Sequence, residues 1–485
     1  MMMRKQMFGA AILTAGMLAA CGTNNADNND TNNSNVGGGE ASCGTEGLDH
    51  SRVEDFFNAG MNNELVDPQL TAPTEGELPV LTPASGSPAL TGFVDPGDAF
   101  FDTVEYRGAF GAENWLEGWA NFSMNSAGDK AGLVDDTATG TPGENDAVEC
   151  DDTKKQCVIS GTIAADLTLS ANYTYVLSGG VFVGDKGSDS NDVTLTVEPG
   201  VTIYGDTSSL SFLAVSRGAK LVAEGTKEKP IILTSANAID GNAAPGDWGG
   251  LIINGNAPLN TGATAEGEGD TGTYGGSDAG DSSGVLKWVE VSFGGKQITS
   301  DNELNGIAFQ GVGLGTEVDY VHVHMSKDDG VEFFGGTVNA KHIAITGVGD
   351  DNVDWTDGWI GKLQFVVAVQ YGYDADNGIE ADNNGNDNSA SPVSSPTLSN
   401  VTLVGIPDSS KSDLGLLLRE GTGGNLYNMV VWGFNDTCLS LDQDATFTNA
   451  SSGKLSMDGT ILYCEGAGGG GAFCDLEAVA TANGN

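Results

Sequence analysis

The sequence predicts an all-β chain wound into a parallel β-helix. Three observations carry that expectation. The first is composition: Gly accounts for 72 of 485 residues, and Val, Ile, Thr, Ser and Asn are abundant. That is the balance of short strands joined by many turns. The second is an internal repeat. Six segments align: LNGIAF from Leu304, DDGVEF from Asp328, DDNVDW from Asp350, DNGIEA from Asp376, DLGLLL from Asp413 and DTCLSL from Asp436. Their start-to-start spacings are 24, 22, 26, 37 and 23, and a recurring period of this size marks a repeat architecture. The third is a second, interleaved set. WVEVS from Trp288, YVHVH from Tyr320, HIAIT from His342, FVVAV from Phe365, NVTLV from Asn400 and NMVVW from Asn428 carry apolar residues two apart, the period of a strand.

Two interleaved strands per turn of 22 to 26 residues describe a coil. Parallel stacking sets equivalent strands about 4.8 Å apart. One expected interior column is Ile307, Val331, Val353, Ile379, Leu416 and Leu439; a second is Val289, Val321, Ile343, Val366, Val401 and Met429. The one long interval holds a Gly/Asn/Ser/Pro loop from Asn383 to Ser395. A leucine-rich repeat would need its own Leu spacing, which is absent, and a propeller would need four strands in each larger repeat.

The elements follow in chain order. Residues 1–20 pair Arg4 and Lys5 with a short apolar run and the small residues Leu18-Ala19-Ala20. This is the pattern of a secretory signal, too short to span a bilayer as a mature helix. Cys21 follows directly, and Leu18-Ala19-Ala20-Cys21 resembles the lipobox of bacterial lipoproteins. The resemblance implies that Cys21 takes a diacylglycerol and becomes the mature N-terminus. It also implies a chain anchored to a membrane without spanning it. Gly22 stands where aspartate would favour inner-membrane retention, so the implied destination is the outer membrane, with the leaflet left open. Residues 21–42 are rich in Asn, Asp, Thr and Gly and read as a disordered tether. Residues 43–145 are irregular, with Pro-rich and aromatic stretches, and read as an N-terminal cap; repeat folds need caps because terminal units expose an apolar face. Within them Ser51 to Asn58 is an expected short helix, with Ser51 and Glu54 at capping-box spacing. Residues 146–485 are the expected β-helix with its C-terminal cap.

Charge narrows the partners. Lys+Arg is 20 against Asp+Glu 67, a net charge of -47. Phosphate contacts need clustered Lys and Arg, so nucleic acid is excluded. Self-repulsion of this size favours bound cations. Without Cys21, six cysteines remain, an even number compatible with disulfides in an exported chain. Cys150 with Cys157 and Cys464 with Cys474 would close small loops, but sequence leaves the pairing open.

Three strings carry a resemblance: GDWGGLIINGNAP (Gly246 to Pro258), DNELNGIAFQGVGLGTEVDYVHV (Asp301 to Val323) and DDGVEFFGGTVNAKHIAIT (Asp328 to Thr346). They are similar to segments of the right-handed β-helix lipoproteins of Gram-negative outer membranes. The resemblance covers roughly residues 100–460. It implies a right-handed, pectin-lyase-like β-helix. It also implies a surface that presents a ligand or a partner, because some relatives are encoded beside TonB-dependent receptors.

Chemistry is expected on the outward side of the repeat. If Val331, Val353 and Ile379 point inward, Glu332, Asp354 and Glu380 point outward. Asp328, Asp350 and Asp376 form a second column, with Asp329, Asp351, Asp357 and Asp382 nearby. Like charges about 5 Å apart disfavour joint ionisation. Raised pKa values or a bound cation would relieve them, and calcium suits clustered carboxylates. The plain alternative is a solvated acidic face. A third reading is enzymatic, a lyase or hydrolase acting on acidic polysaccharide. Lys327-Asp328-Asp329-Gly330 resembles the aspartate pair of polygalacturonase-like hydrolases, whose Gly-His-Gly and Arg-Ile-Lys segments are missing; Arg419 is the candidate lyase base. His322 and His324 share the outward face of their strand and are a candidate transition-metal pair. Trp248, Trp288, Trp355, Trp359 and Trp432 would stack on sugars if exposed, although Trp355 falls in an inward column with Phe309 and Phe333.

Overall fold

The computed structural model describes residues 49–483, apart from positions 136, 139, 144, 300, 301, 408 and 465–470. The leader, Cys21, the tether and Cys43 lie outside the described residues. Among the described residues no helix is long and apolar enough to cross a membrane.

The repeat winds into a parallel β-helix, as expected, but each coil has three faces. The first sheet stacks Phe212–Val215, Leu251–Asn254, Ile307–Gln310, Val331–Phe334, Val353–Thr356, Ile379–Ala381, Leu414–Leu418, Thr437–Leu441 and Phe473–Asp475. The other two sheets share strands. Gly284–Ser292, Glu317–His324, Asn339–Thr346, Lys362–Val369, Thr397–Val404 and Gly424–Trp432 pair with one another in parallel along nearly their whole length. Each bends once, at Trp288, Tyr320, His342, Phe365, Asn400 and Asn428, whose φ values run from 49° to 60°. The first half of each strand belongs to the second sheet and the last half to the third. A non-glycine residue in the left-handed region is uncommon. Here the bends align, so their side chains stack. Trp288 lies 3.8 Å from Tyr320, Tyr320 4.1 Å from His342, and His342 4.8 Å from Phe365, ring centre to ring centre.

Both expected columns are interior. Ile307, Val331, Val353, Ile379, Leu416 and Leu439 are in register on the first sheet and almost fully buried. Val289, Val321, Ile343, Val366, Val401 and Met429 do the same on the third. Phe309, Phe333 and Trp359 stack along the axis, with centroids 5.2 and 4.0 Å apart.

The N-terminal segment departs most from expectation. Helix α1, Ser51–Ala59, forms where the sequence places it, but it covers the C-terminal end of the coil. Val53, Phe56 and Phe57 are buried there, and the Phe57 ring meets Phe473 at 5.3 Å. Arg52 Nε and Nη2 donate to Asp475 at 2.7 and 2.8 Å. The capping box is not made: the N-cap is His50, with no side-chain cap bond. The His50 ring instead accepts the Asp475 N–H at 3.0 Å, which fixes the helix to the coil end. Glu64–Leu65 then adds a last strand beside Ile461–Tyr463. From there the segment travels along the flank of the third sheet toward the N-terminal coils. Ala109 N–H donates to Thr402 Oγ1, Asn121 N–H to Glu290 and Gly132 N–H to Thr202 Oγ1. Trp115 and Trp119 pack edge-on against the ring ladder. Residues up to 65 thus cap an end, and the rest is a strap.

Arg107 holds the two parts together. Its side chain is fully buried. It donates to the carbonyls of Asn62 and Pro88 at 3.1 and 2.7 Å and to Glu64 at 3.1 Å. Arg107→Ala removes a buried side chain together with its bonds to two carbonyls and Glu64, so we expect a loss of about 2–4 kcal/mol. Limited proteolysis should then cut within residues 66–145 before the coil unfolds. Exposed Asp98, paired with Lys362 at 2.5 Å, is the control: Asp98→Asn should change little.

Disulfides join Cys150 to Cys157 and Cys438 to Cys464. The second corrects the expected Cys464–Cys474 pairing; Cys474 is itself disulfide-bonded, to another partner.

A candidate metal centre on the first sheet

The turn that opens each first-sheet strand carries the acidic pairs, and the strand then alternates. Val331, Val353 and Ile379 go inward, so Glu332, Asp354 and Glu380 go outward in direct register. The turns stack as well. Asp329 Oδ1 accepts the Asp351 N–H at 3.0 Å, and Asp351 Oδ1 accepts the Asn377 N–H at 2.8 Å. Side chains from neighbouring coils therefore converge in a trough.

Four groups have one carboxylate oxygen from each member within 4.8 Å of the others: Glu303, Asp328 and Asp350; Asp329, Glu332 and Asp354; Asp350, Asp351 and Asp376; Asp351, Asp354 and Glu380. All six site residues expected from sequence appear among them. Asp329 and Asp351, expected only nearby, are full members. Glu303 was not anticipated, because it enters from the hairpin of Gln297–Thr299 with Asn302–Glu303, outside the repeat.

Burial is the leading cause of the electrostatics. It pushes the carboxyls of Asp328, Asp329, Glu332, Asp351 and Asp354 well above the usual carboxylate range, and neighbouring carboxylates push them further. Asp329, Glu332 and Asp351 are almost fully buried, while Asp354 keeps partial access to solvent. Access from one side is what a bound ion needs to enter. The Asp354 Oδ1 atom is buried without a hydrogen-bond partner, and so is Asn305 Oδ1, whose amide donates to Glu332. Carboxylates this close must share protons or share a cation. Several carboxylate oxygens with amide oxygens at the margin match a hard cation with six to eight oxygen ligands.

The C-terminal end of the trough is neutralised differently. Arg419 bonds Glu380 and donates to Asp382 at 2.9 Å from Nε. These carboxylates hold its guanidinium well above its ordinary pKa, against the effect of burial. A role as lyase base would require Arg419 to give up a proton while held by these two carboxylates.

His322 and His324 point outward but are not at the surface. The strap covers them, and both are fully buried. Both rings meet Thr346 Oγ1, at 2.8 and 2.7 Å, and His324 Nε2 meets the Ser123 carbonyl at 3.0 Å. Burial pushes His322 down to about 3 and His324 to about 4, and pushes the adjacent Glu290 up to about 7. The histidines are therefore neutral, and three of their four ring nitrogens are bonded to the protein. Among the candidate sugar-stacking rings, Trp248, Trp355 and Trp359 are core residues.

A family model described as a pectate-lyase like beta helix domain matches residues 161–464. No curated protein and no solved structure matches the chain. The matched segment spans the first-sheet strands that carry the trough and most of the coil, and the chain belongs to the family of the pectate-lyase like beta helix domain.

Proposed function

We propose that this protein is a lipid-anchored, non-enzymatic binding protein of the outer membrane. In this reading the trough holds divalent cations, calcium foremost, and offers them to an acidic ligand such as a polysaccharide fragment. The role fits an accessory to a TonB-dependent receptor, the partner implied by the sequence resemblance. One observation carries the cation reading: carboxylate triads on successive coils overlap through Asp350, Asp351 and Asp354. Such an array is costly unless protons or cations occupy it. The coil is a rigid platform for it, because every carboxylate except Glu303 sits in or beside a strand paired on both sides.

A second reading is a carbohydrate-active enzyme, favoured by the family itself. Glu268 and Glu420, raised to about 7 mainly by burial, would be its general acids. An acidic polysaccharide incubated with the purified chain separates the two. The binding reading expects calcium-dependent retention of the polymer with no shortening. Depolymerisation would support the enzyme. Co-purification of a receptor barrel from detergent-solubilised envelope supports the accessory role, and a receptor-free eluate counts against it.

A further inference from the structure

The described chain enters its fold at an unexpected place. The first described residue, Asp49, lies beside α1, and α1 is fixed to the last rung of the first sheet through Arg52, His50 and Phe57. The described chain thus enters the fold at the C-terminal end of the β-helix. We propose that the β-helix stands on the bilayer with its C-terminal end down and its N-terminal coils away from the membrane. This rests on the reading of Cys21 as the lipidated residue.

Magnitudes decide whether the attachment point matters. Asp49 follows Cys21 by 28 residues. A chain of that length spans about 95 Å fully extended. A flexible coil of that length would average only about 30 Å end to end. The first sheet runs from the Phe473–Asp475 rung back to the rungs at Thr174–Val183 and Gln156–Ile163, about 50 Å at 4.8 Å per step. The coil is thus longer than the average tether, so its two ends sample different distances from the anchor. The Val353–Thr356 rung, which carries Asp354, lies four steps from the last one, about 20 Å. The trough would then face sideways, above the lipid headgroups and open to ligands in solution.

The test uses the full lipidated chain in vesicles that carry an acceptor dye on the lipid headgroups. A donor dye is placed at Lys454, in the turn beside α1's end of the coil, or at Lys154, in the hairpin at the opposite end. A genetically encoded reactive residue spares the disulfides. We expect energy transfer several-fold stronger from position 454 than from 154. Equal transfer, or stronger transfer from 154, would overturn the orientation. The anchor reading fails separately: Cys21→Ser should leave the vesicles entirely, and if it floats with them as wild type does, the anchor and the orientation both fall.

Discussion

Trp355→Ala is expected to lower stability by about 3–5 kcal/mol, the range for removing a large aromatic from a packed interior. Trp355 is almost wholly buried and lies in register with Phe333 on the first sheet. Its ring packs on Trp359 at 5.8 Å, and its Nε1 donates to Thr422 Oγ1 at 3.1 Å. Truncation opens a void on the axis and strips a buried hydroxyl of its donor. Neighbouring strands are paired on both sides, so the site has little room to collapse. Urea unfolding should show a lower midpoint with an unchanged slope. Ile360, 44% exposed, is the control, with Ile360→Ala within about 0.5 kcal/mol of wild type. A Trp355→Ala loss below about 1 kcal/mol would mean that the interior stack is not a packed core.

The second large expected effect is a loss of stability with rising pH that bound calcium would flatten. Unfolded carboxyls titrate near 4. Burial, and then neighbouring carboxylates, hold Asp328, Asp329, Glu332, Asp351 and Asp354 above that value in the folded state. Burial also brings Asp357 to about 6, and Glu268 and Glu420 to about 7. A raised carboxyl stabilises the fold fully below pH 4, where both states are protonated. It loses that contribution as pH rises through the folded value. Cation-free protein should therefore lose stability between about pH 4 and 8, by at most about 1.4 kcal/mol per pH unit for each such group. Asp206 and Asp374, held below the ordinary range, act oppositely, but only below pH 4. Calcium bound in place of the protons would release them on uptake and flatten the profile. Thermal midpoints at pH 4.5, 6 and 7.5, with chelator and with calcium at matched ionic strength, measure both. Parallel profiles would remove the cation from the account.

The parts of the fold that repeat were legible, and the parts that do not were hidden. Val331, Val353 and Ile379 announce their column because alternation and coil length agree. The trough followed from the same register, since an inward Val353 forces an outward Asp354. Three faces per coil were not legible: a bend at Trp288 or Tyr320 uses the left-handed region without the glycine that normally marks it. The strap was hidden because it is held by bonds such as Asn121 to Glu290, 169 residues apart, which impose no period. The Cys438–Cys464 bond was hidden: it ties a first-sheet strand to the end of a third-sheet strand, with Cα atoms 5.5 Å apart, whereas the coil itself brings Leu439 opposite Phe473. Arg419 was within reach. It follows Leu418 as Asp382 follows Ala381, so register alone stacks the opposite charges.

The cation centre is the core of the account, and direct calcium binding tests it. Equilibrium dialysis against radioactive calcium, at neutral pH and physiological salt, counts the bound ions. We expect saturable binding of at least one ion per chain, with fewer ions or weaker binding in Asp354→Asn with Glu380→Gln while circular dichroism stays that of wild type. At 100 times the dissociation constant, that binding should stabilise the fold by about 2.7 kcal/mol. No saturable binding up to millimolar calcium, or binding unchanged in the double variant, would contradict it and leave the trough a protonated acidic face.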